Sequence, residues 1–172
     1  NDGILPLSVN DSIAVIGPHA NDGDLIGGWR TECEDKDTIT LLSGLSNACT
    51  GRVEYAKGCD WGLDATDESG FEQAIEIAKR ADEVVLTLGE SPEDSGEGRS
   101  KLNIDLPEIQ YKLLDEILKV NQNVVVVLFT GRPLAIKRVH ERVRAILNMW
   151  WPGCEAGNAV ANLLFGKNNS NC

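Results

Sequence analysis

The sequence has no cluster of lysine or arginine at any point along its 172 residues. With 27 acidic against 16 basic residues, its net charge is -11 at pH 7. Nucleic acids and anionic membranes bind basic surfaces, so neither is expected as a partner. The longest apolar run, Val124 to Phe129, is too short to cross a bilayer, and the opening NDGILPLSVND lacks the basic and apolar blocks of a signal peptide. These residues predict a cytoplasmic location.

Paired cysteine motifs and nucleotide-binding glycine motifs are absent as well. The cysteines form no CxxC pair, which argues against a zinc site or a full disulfide framework and favours free thiols. They are Cys33, Cys49, Cys59, Cys154 and Cys172. The glycines after the first apolar run follow neither the GxGxxG nor the Walker spacing, and no lysine is placed to neutralise a phosphate. Dinucleotide binding is therefore disfavoured.

Apolar runs that alternate with helical patterns define the fold class. Five runs rich in β-branched residues predict strands: IAVIG from Ile13, VEYA from Val53, EVVLTLG from Glu83, NVVVVLFTG from Asn123 and RAILNMWW from Arg144. The runs are apolar throughout rather than at every second residue, as a parallel sheet covered on both faces requires.

Helical spacing appears in three stretches between and after these runs. The first is marked by Phe71, Ala74, Ile75 and Ala78; the second by Ile109, Leu113 and Ile117, with Pro107 in its first turn; the last by Ala159, Val160, Leu163 and Leu164, ending at Gly166. The predicted fold class is α/β, a three-layer sandwich whose mainly parallel sheet is covered by helices on both faces. No repeat, low-complexity tract or linker divides the chain.

In open parallel sheets, ligands bind at the loops that leave the carboxyl ends of the strands. Here those loops read GPHANDGDLIGGWR, GESPEDSGEGRS, GRPL and WWPGCEAGN, and they collect glycines, tryptophans and carboxylates. In the first of them, Trp29 follows a glycine pair and can present a flat face to a sugar ring. Large aromatic residues pack more often in a core, so both roles for Trp29 remain open at this point.

The loop after the third strand carries most of the acidic groups. Glu90, Glu93, Asp94 and Glu97 crowd together with Arg99. Neighbouring carboxylates raise one another's pKa and an arginine lowers it, so one group of such a set can be held as an acid near neutral pH. Glycines on both sides of Glu97 allow backbone conformations closed to other residues, which can turn its carboxyl outward from the sheet edge. The alternative is a solvated acidic loop without a catalytic role.

Seven segments, taken in order, resemble one known family. NDGILPL, IAVIGPHA, GGW, YAKGCD, VVLTLGE…SGEGRS…LP, VVVVLFTGRPL and ILNMWWPGCEAGNAVANLLFG are together similar to the C-terminal α/β sandwich domain of family 3 glycoside hydrolases, the β-glucosidase and β-xylosidase group. The resemblance implies that residues 1–172 are one such domain, part of a longer polypeptide. The family's N-terminal (β/α)8 barrel takes about 250 residues and has no room in this chain.

The resemblance also implies a reaction. Family 3 enzymes hydrolyse β-linked glycosides with retention, in a site where the barrel supplies an aspartate nucleophile and a sandwich loop supplies the general acid/base glutamate. The family's SGEG-type segment corresponds to residues 95–98, which makes Glu97 the candidate acid/base. By the same comparison, GGW makes Trp29 a candidate to stack on the sugar of the leaving-group side.

The implied partners are a β-linked glucoside or xyloside oligosaccharide and the barrel domain of the same polypeptide, with no metal or organic cofactor needed. The chain alone is expected to be inactive, because half of the carboxylate pair is missing. β-Xylosidase rather than β-glucosidase specificity is one alternative. A non-catalytic carbohydrate-binding or scaffold module is the other.

Overall fold

The computed structural model describes residues 3–30, 32 and 34–168, which contain a five-stranded sheet. Its strands are β1 (Ile13–Ile16), β2 (Val53–Ala56), β3 (Glu83–Gly89), β4 (Val124–Phe129) and β5 (Ala145–Asn148). Their order across the sheet is β2-β1-β3-β4-β5, and each pair of neighbours is parallel. All five predicted strands are confirmed.

The sheet is buried on both faces. Every residue of β1 and of β4 is buried, and successive side chains point to opposite sides of a strand. Ala14 and Ile16 therefore join one apolar core, while Ile13 and Val15 join the other. This confirms the predicted three-layer α/β sandwich and explains why the central strands β1 and β4 are apolar at every position.

Five α-helices in the described residues cover the two faces. They are α1 (Leu41–Ala48), α2 (Phe71–Arg80), α3 (Glu108–Val120), α4 (Lys137–His140) and α5 (Ala156–Leu164). The apolar side chains of α2 and α3 enter the first core, and those of α1 and α5 enter the second. The predicted helices correspond to α2, α3 and α5. Helix α3 begins directly after Pro107, one residue later than the sequence pattern predicts.

Helices α1 and α4 have no counterpart in the sequence prediction. The α1 sequence LLSGLSNA has a central glycine and two serines, which favour a helix only weakly. Contact with α5 stabilises it instead. A Cβ at Gly44 would lie 2.2 Å from the carbonyl group of Gly157, and a Cβ at Gly157 would lie 2.0 Å from the carbonyl oxygen of Thr40. The two helices meet backbone to backbone, which no local pattern reveals.

The loop after β3 starts and ends at fixed points. Gln110, fully buried in the first turn of α3, donates from Nε2 to the carbonyl oxygen of Gly89 at 2.7 Å. Its Oε1 accepts from the Gly89 amide at 2.9 Å, so one side chain pairs both backbone groups of the last residue of β3. Residues 90–107 leave the sheet at its carboxyl edge and return to the same place.

Candidate active site

The loops after β1 and β3 form a small cleft at the carboxyl edge of the sheet. The cleft has a volume of about 250 Å³, and its lining includes Trp29 and Glu97 together with Pro92, Ser95 and Arg99. Two larger hollows, of about 400 and 590 Å³, lie over helices α1 and α5 and over α3, and neither residue lines them. The structure therefore brings the two site residues predicted from the sequence to one place.

Trp29 lies on the surface, with 75% of its side chain exposed. A core role, which its size alone favours, is wrong for this residue. Two residues earlier, the indole of Trp151 occupies the space that a side chain at Gly27 would need, 2.8 Å from its Cβ position. The half-buried Trp151 thus packs against the core beside this loop, whereas Trp29 does not.

Glu97 is exposed at the tip of the loop after β3. It makes no hydrogen bond or ion pair with any residue that the structure describes. Gly96 and Gly98 on either side have φ angles of +149° and +74°, which L side chains rarely adopt. A Cβ at Gly98 would meet nothing within 4 Å, so this glycine serves the backbone conformation rather than a tight contact. The turn leaves the Glu97 carboxyl free toward solvent.

The other carboxylates of the loop are engaged. Glu93 pairs with Arg99, whose Nη2 lies 2.6 Å from Glu93 Oε2, and both side chains are exposed. Asp94 Oδ2 accepts from the Ser91 amide at 3.1 Å and lies 3.4 Å from Lys101 Nζ. These carboxylates thus make specific ion pairs and hydrogen bonds, unlike those of the solvated acidic surface that the composition alone suggests.

Glu90 is the exception among these acids because it is buried, with only 1% of its surface exposed. Its Oε1 accepts from the Gly131 amide at 3.2 Å and from Arg132 Nε at 3.4 Å, and its Oε2 lies 3.3 Å from Lys101 Nζ. A buried carboxylate is stable only when it is paired in this way. Residues Glu90, Lys101 and Arg132 are called the basal cluster below.

A known protein family matches the chain over almost its whole length. The family model described as the glycosyl hydrolase family 3 C-terminal domain matches residues 1–171. The chain belongs to this family.

Relatives of this family 3 domain carry glycosidase names. The chain is 38% identical over 180 residues to a β-xylosidase of Formosa agariphila, and the match covers 98% of this chain and 24% of the relative. It is 33% identical to a periplasmic β-glucosidase of Salmonella typhimurium, covering 96% of this chain and 24% of that protein. The chain therefore spans about a quarter of the length of these relatives.

Solved structures have the same fold. A β-glucosidase from Listeria innocua, in complex with isofagomine, superimposes with a TM-score of 0.91 at 37% identity, covering 98% of this chain and 23% of that one. An exo-β-xylosidase bound to a xylobiose aziridine probe superimposes with a TM-score of 0.85 at 30% identity, covering 98% of this chain and 22% of that one. Both structures thus contain this α/β sandwich in the part that the chain covers.

An aromatic group supports the cleft from inside the family 3 domain. His19, fully buried after β1, stacks on Trp61 with ring centroids 5.2 Å apart and meets the edge of Trp151 at 6.2 Å. Trp151 Nε1 in turn donates to Ser95 Oγ at 3.4 Å. Burial raises the pKa of the Asp22 carboxyl. Hydrogen bonds from His19 and from the Asp24 amide outweigh burial, together with nearby positive charge, and leave the pKa of Asp22 lowered overall. The cleft loops therefore rest on a packed aromatic layer.

The described residues offer neither a metal-ligand cluster nor a membrane-spanning helix. In residues 3–30, 32 and 34–168, no group of three or more His, Cys, Asp or Glu is arranged to hold a metal ion. Over the same residues, no helix has the length and apolar character that a membrane span needs. Cys49 and Cys59 are unpaired thiols, while Cys33 and Cys172 lie outside the described residues.

Sequence reasoning missed the roles of Lys101 and Arg132. The GRPL segment is visible as a loop after β4, but nothing in it indicates that its arginine reaches back to the loop after β3. One signal was available: Glu90 directly follows a strand whose residues are apolar except for Glu83 and Thr87, and a carboxylate buried in such a place needs a cationic partner. The partner's identity depends on the adjacency of β3 and β4.

Proposed function

We propose that this domain supplies the general acid/base of a retaining β-glycosidase and that Glu97 is the group responsible. The observation that carries the proposal is the position of Glu97, an exposed and unpaired carboxyl on a glycine-flanked turn in the same cleft as an exposed tryptophan. A group that exchanges a proton with a bound sugar needs such access. Membership of the family makes the glycosidase chemistry the best-supported reading.

In the proposed reaction, a carboxylate from another domain attacks the anomeric carbon while Glu97, protonated, gives its proton to the departing glycosidic oxygen. Water then attacks the glycosyl-enzyme, with Glu97 acting as base. The two carboxyl groups of a retaining glycosidase stand about 5 to 5.5 Å apart. The placement of one domain against the other would therefore control activity.

The second carboxylate is proposed to come from a (β/α)8 barrel in the same polypeptide. The relatives are about four times as long as this chain, and such a barrel takes about 250 residues. On this proposal the chain by itself hydrolyses no aryl β-glucoside or β-xyloside. Purification-resistant turnover by the chain alone would contradict the proposal.

Trp29 is proposed to stack on the sugar of the leaving-group side. Its exposed indole lies at the cleft wall, and an aromatic face packs well against the apolar face of a pyranose. The substrate class is a β-linked glucoside or xyloside oligosaccharide, since relatives are named β-glucosidase and β-xylosidase. The residues of this chain do not distinguish the two sugars.

The test is a leaving-group series on the full-length protein. Glu97→Ala should lower turnover of alkyl and oligosaccharide substrates by about 10²- to 10⁴-fold, because these leaving groups need acid assistance. Activated aryl glycosides should still form the glycosyl-enzyme, and azide should restore their turnover by attacking an intermediate that lacks its base.

Glu93→Ala and Asp94→Ala are matched controls in the same loop, since each removes a carboxylate that is already paired. Both should have much smaller effects. If Glu97→Ala has normal turnover while one of these two variants has lost it, the acid/base role belongs to the residue changed in that variant. Normal turnover in all three variants would show that the loop is an acidic surface without a catalytic role.

A non-catalytic sugar-binding module is the second candidate, and the 75% exposure of Trp29 is the observation that favours it. On this reading the chain alone binds a disaccharide such as cellobiose, and binding disappears in Trp29→Ala. Titration calorimetry with the chain and its variant measures both. Binding without any catalytic effect of Glu97→Ala in the full-length protein would favour this candidate over the first.

The cytoplasmic location stays a prediction of the sequence. One relative is named a periplasmic β-glucosidase, so export of the full-length protein is the competing outcome. Cell fractionation with an antibody against this domain decides between them.

A further inference from the structure

The guanidinium of Arg132 joins the two sides of the turn that carries Glu97. Its Nη2 donates to the carbonyl oxygen of Asp94 and, at 3.1 Å, to that of Arg99. Residues 95–98 lie between these two points, so one side chain closes the base of a short turn. Glu97 stands within the closed segment and touches none of the groups that close it.

Arg132 is itself oriented by an ion pair with the buried Glu90. Arg132 Nε lies 3.4 Å from Glu90 Oε1, which also accepts from the neighbouring Gly131 amide at 3.2 Å. Glu90 directly follows β3 and Arg132 lies just beyond the end of β4, and these two strands pair in parallel up to Gly89 and Phe129. The Glu90 carboxylate therefore links Arg132, and through it the turn at residues 95–98, to the ends of two paired strands.

Lys101 completes the basal cluster from the far end of the loop. Its Nζ lies 3.3 Å from Glu90 Oε2 and 3.4 Å from Asp94 Oδ2, and only 10% of its side chain is exposed. The separations in the cluster are long for charged groups, so the hold comes from the number of contacts and from burial. A lysine in place of Arg132 could not reproduce a planar group that bonds in three directions.

We propose that Arg132, oriented by Glu90, is a positioning residue that fixes the turn carrying Glu97 at the geometry needed for proton transfer. The inference rests on the proposed function, in which Glu97 is the acid/base. It assigns to the GRPL segment a role in the reaction without contact with the sugar. Misplacing a reacting group by about 1 Å can cost about 10²-fold in rate, so a positioning effect of this kind is measurable.

The test uses the full-length protein with Arg132→Lys and Arg132→Met. For an alkyl or oligosaccharide substrate we expect kcat to fall about 10-fold and about 10²-fold respectively, within the loss caused by Glu97→Ala. KM should stay within about 2-fold, and turnover of an activated aryl glycoside should fall much less, because only acid assistance is impaired. Arg80→Lys is the matched control, since Arg80 makes a comparable two-point contact with Glu54 at the opposite edge of the sheet.

Two readouts separate positioning from a general loss of structure. The double variant Glu97→Ala/Arg132→Met should be no slower on the poor leaving group than Glu97→Ala alone, because the acid that Arg132 positions is already gone. Hydrogen exchange should accelerate at the amides of residues 95–100 in both Arg132 variants and remain unchanged in the helices.

The inference is overturned if the Arg132 variants slow both substrate classes equally, if their loss adds to that of Glu97→Ala, or if exchange in residues 95–100 does not change. Failure of the proposed function looks different. It appears in the Glu97→Ala single variant, as normal turnover of the poor leaving group, before any Arg132 variant is measured.

Discussion

Glu83, the first residue of β3, gives this domain a predicted pH dependence of stability. Burial raises the pKa of its carboxyl to about 7 from the usual 4.5, the charges of Asp11 and Asp82 add to the rise, and Arg144 opposes it. Glu83 Oε2 is buried and has no hydrogen-bond partner among the described residues. Both observations favour the neutral acid in the folded state.

The sign follows from the two pKa values. Because the folded state holds the proton more tightly than the unfolded state, Glu83 contributes stability that is complete below about pH 4.5 and is lost as the pH rises through 7. Each pKa unit corresponds to about 1.36 kcal/mol, so the whole contribution is roughly 3 kcal/mol. Because Glu83 is only partly buried, solvent screening reduces this figure, and about 2 kcal/mol should disappear between pH 5 and pH 8.

Glu83→Gln removes the titration and keeps the shape of the side chain. The free energy of unfolding of the variant, relative to the wild-type chain, should therefore rise by about 2 kcal/mol between pH 5 and pH 8. Urea unfolding followed by circular dichroism at several pH values measures it. Glu72→Gln, on the exposed part of α2, is the matched control and should follow the wild-type curve. Parallel curves for Glu83→Gln and wild type would refute the reasoning.

Two further predictions concern the packed interior. Gly157→Ala should destabilise the chain by about 1–3 kcal/mol, since its Cβ would lie 2.0 Å from the Thr40 carbonyl oxygen; Gly62→Ala, where the nearest atom is 3.7 Å away, should show no such loss in urea unfolding. Cys59, whose pKa burial raises to about 12, should resist iodoacetamide at pH 8 and become labelled only in urea, as peptide mass mapping would show; rapid labelling of the native chain would contradict its burial.

The sheet could be predicted from sequence because its signal is local. An apolar strand such as β4, buried at every position, has no other plausible place than the middle of a covered sheet. Helix α1 could not, because its glycine-containing sequence is stabilised by contact with Gly157, more than a hundred residues away. Contact between distant segments leaves no periodic pattern in either one.

The candidate site divides in the same way. Glu97 and Trp29 stand out in sequence because glycines beside a carboxylate or an indole are themselves a local pattern. Lys101 and Arg132 do not, since their importance comes from the buried Glu90, which they reach only after β3 and β4 have paired. The exposure of Trp29 was equally hidden, because no local pattern shows that Trp151, more than a hundred residues away, is the tryptophan that packs against this loop.

The paired hydrogen bonds between Gln110 and Gly89 also separate the length of the loop after β3 from the stability of the sheet. They tether the start of α3 to the end of β3, so the two ends of the loop stay in place whatever its length. Doubling the length of a flexible loop costs only about 0.6 kcal/mol in closure entropy. Insertions and deletions outside residues 94–101, the part of the loop that Arg132 and Lys101 hold, can then accumulate without disturbing the sheet. A lineage is thus free to lengthen or shorten the rest of this loop, while Glu97 and the scaffold beneath it stay in place.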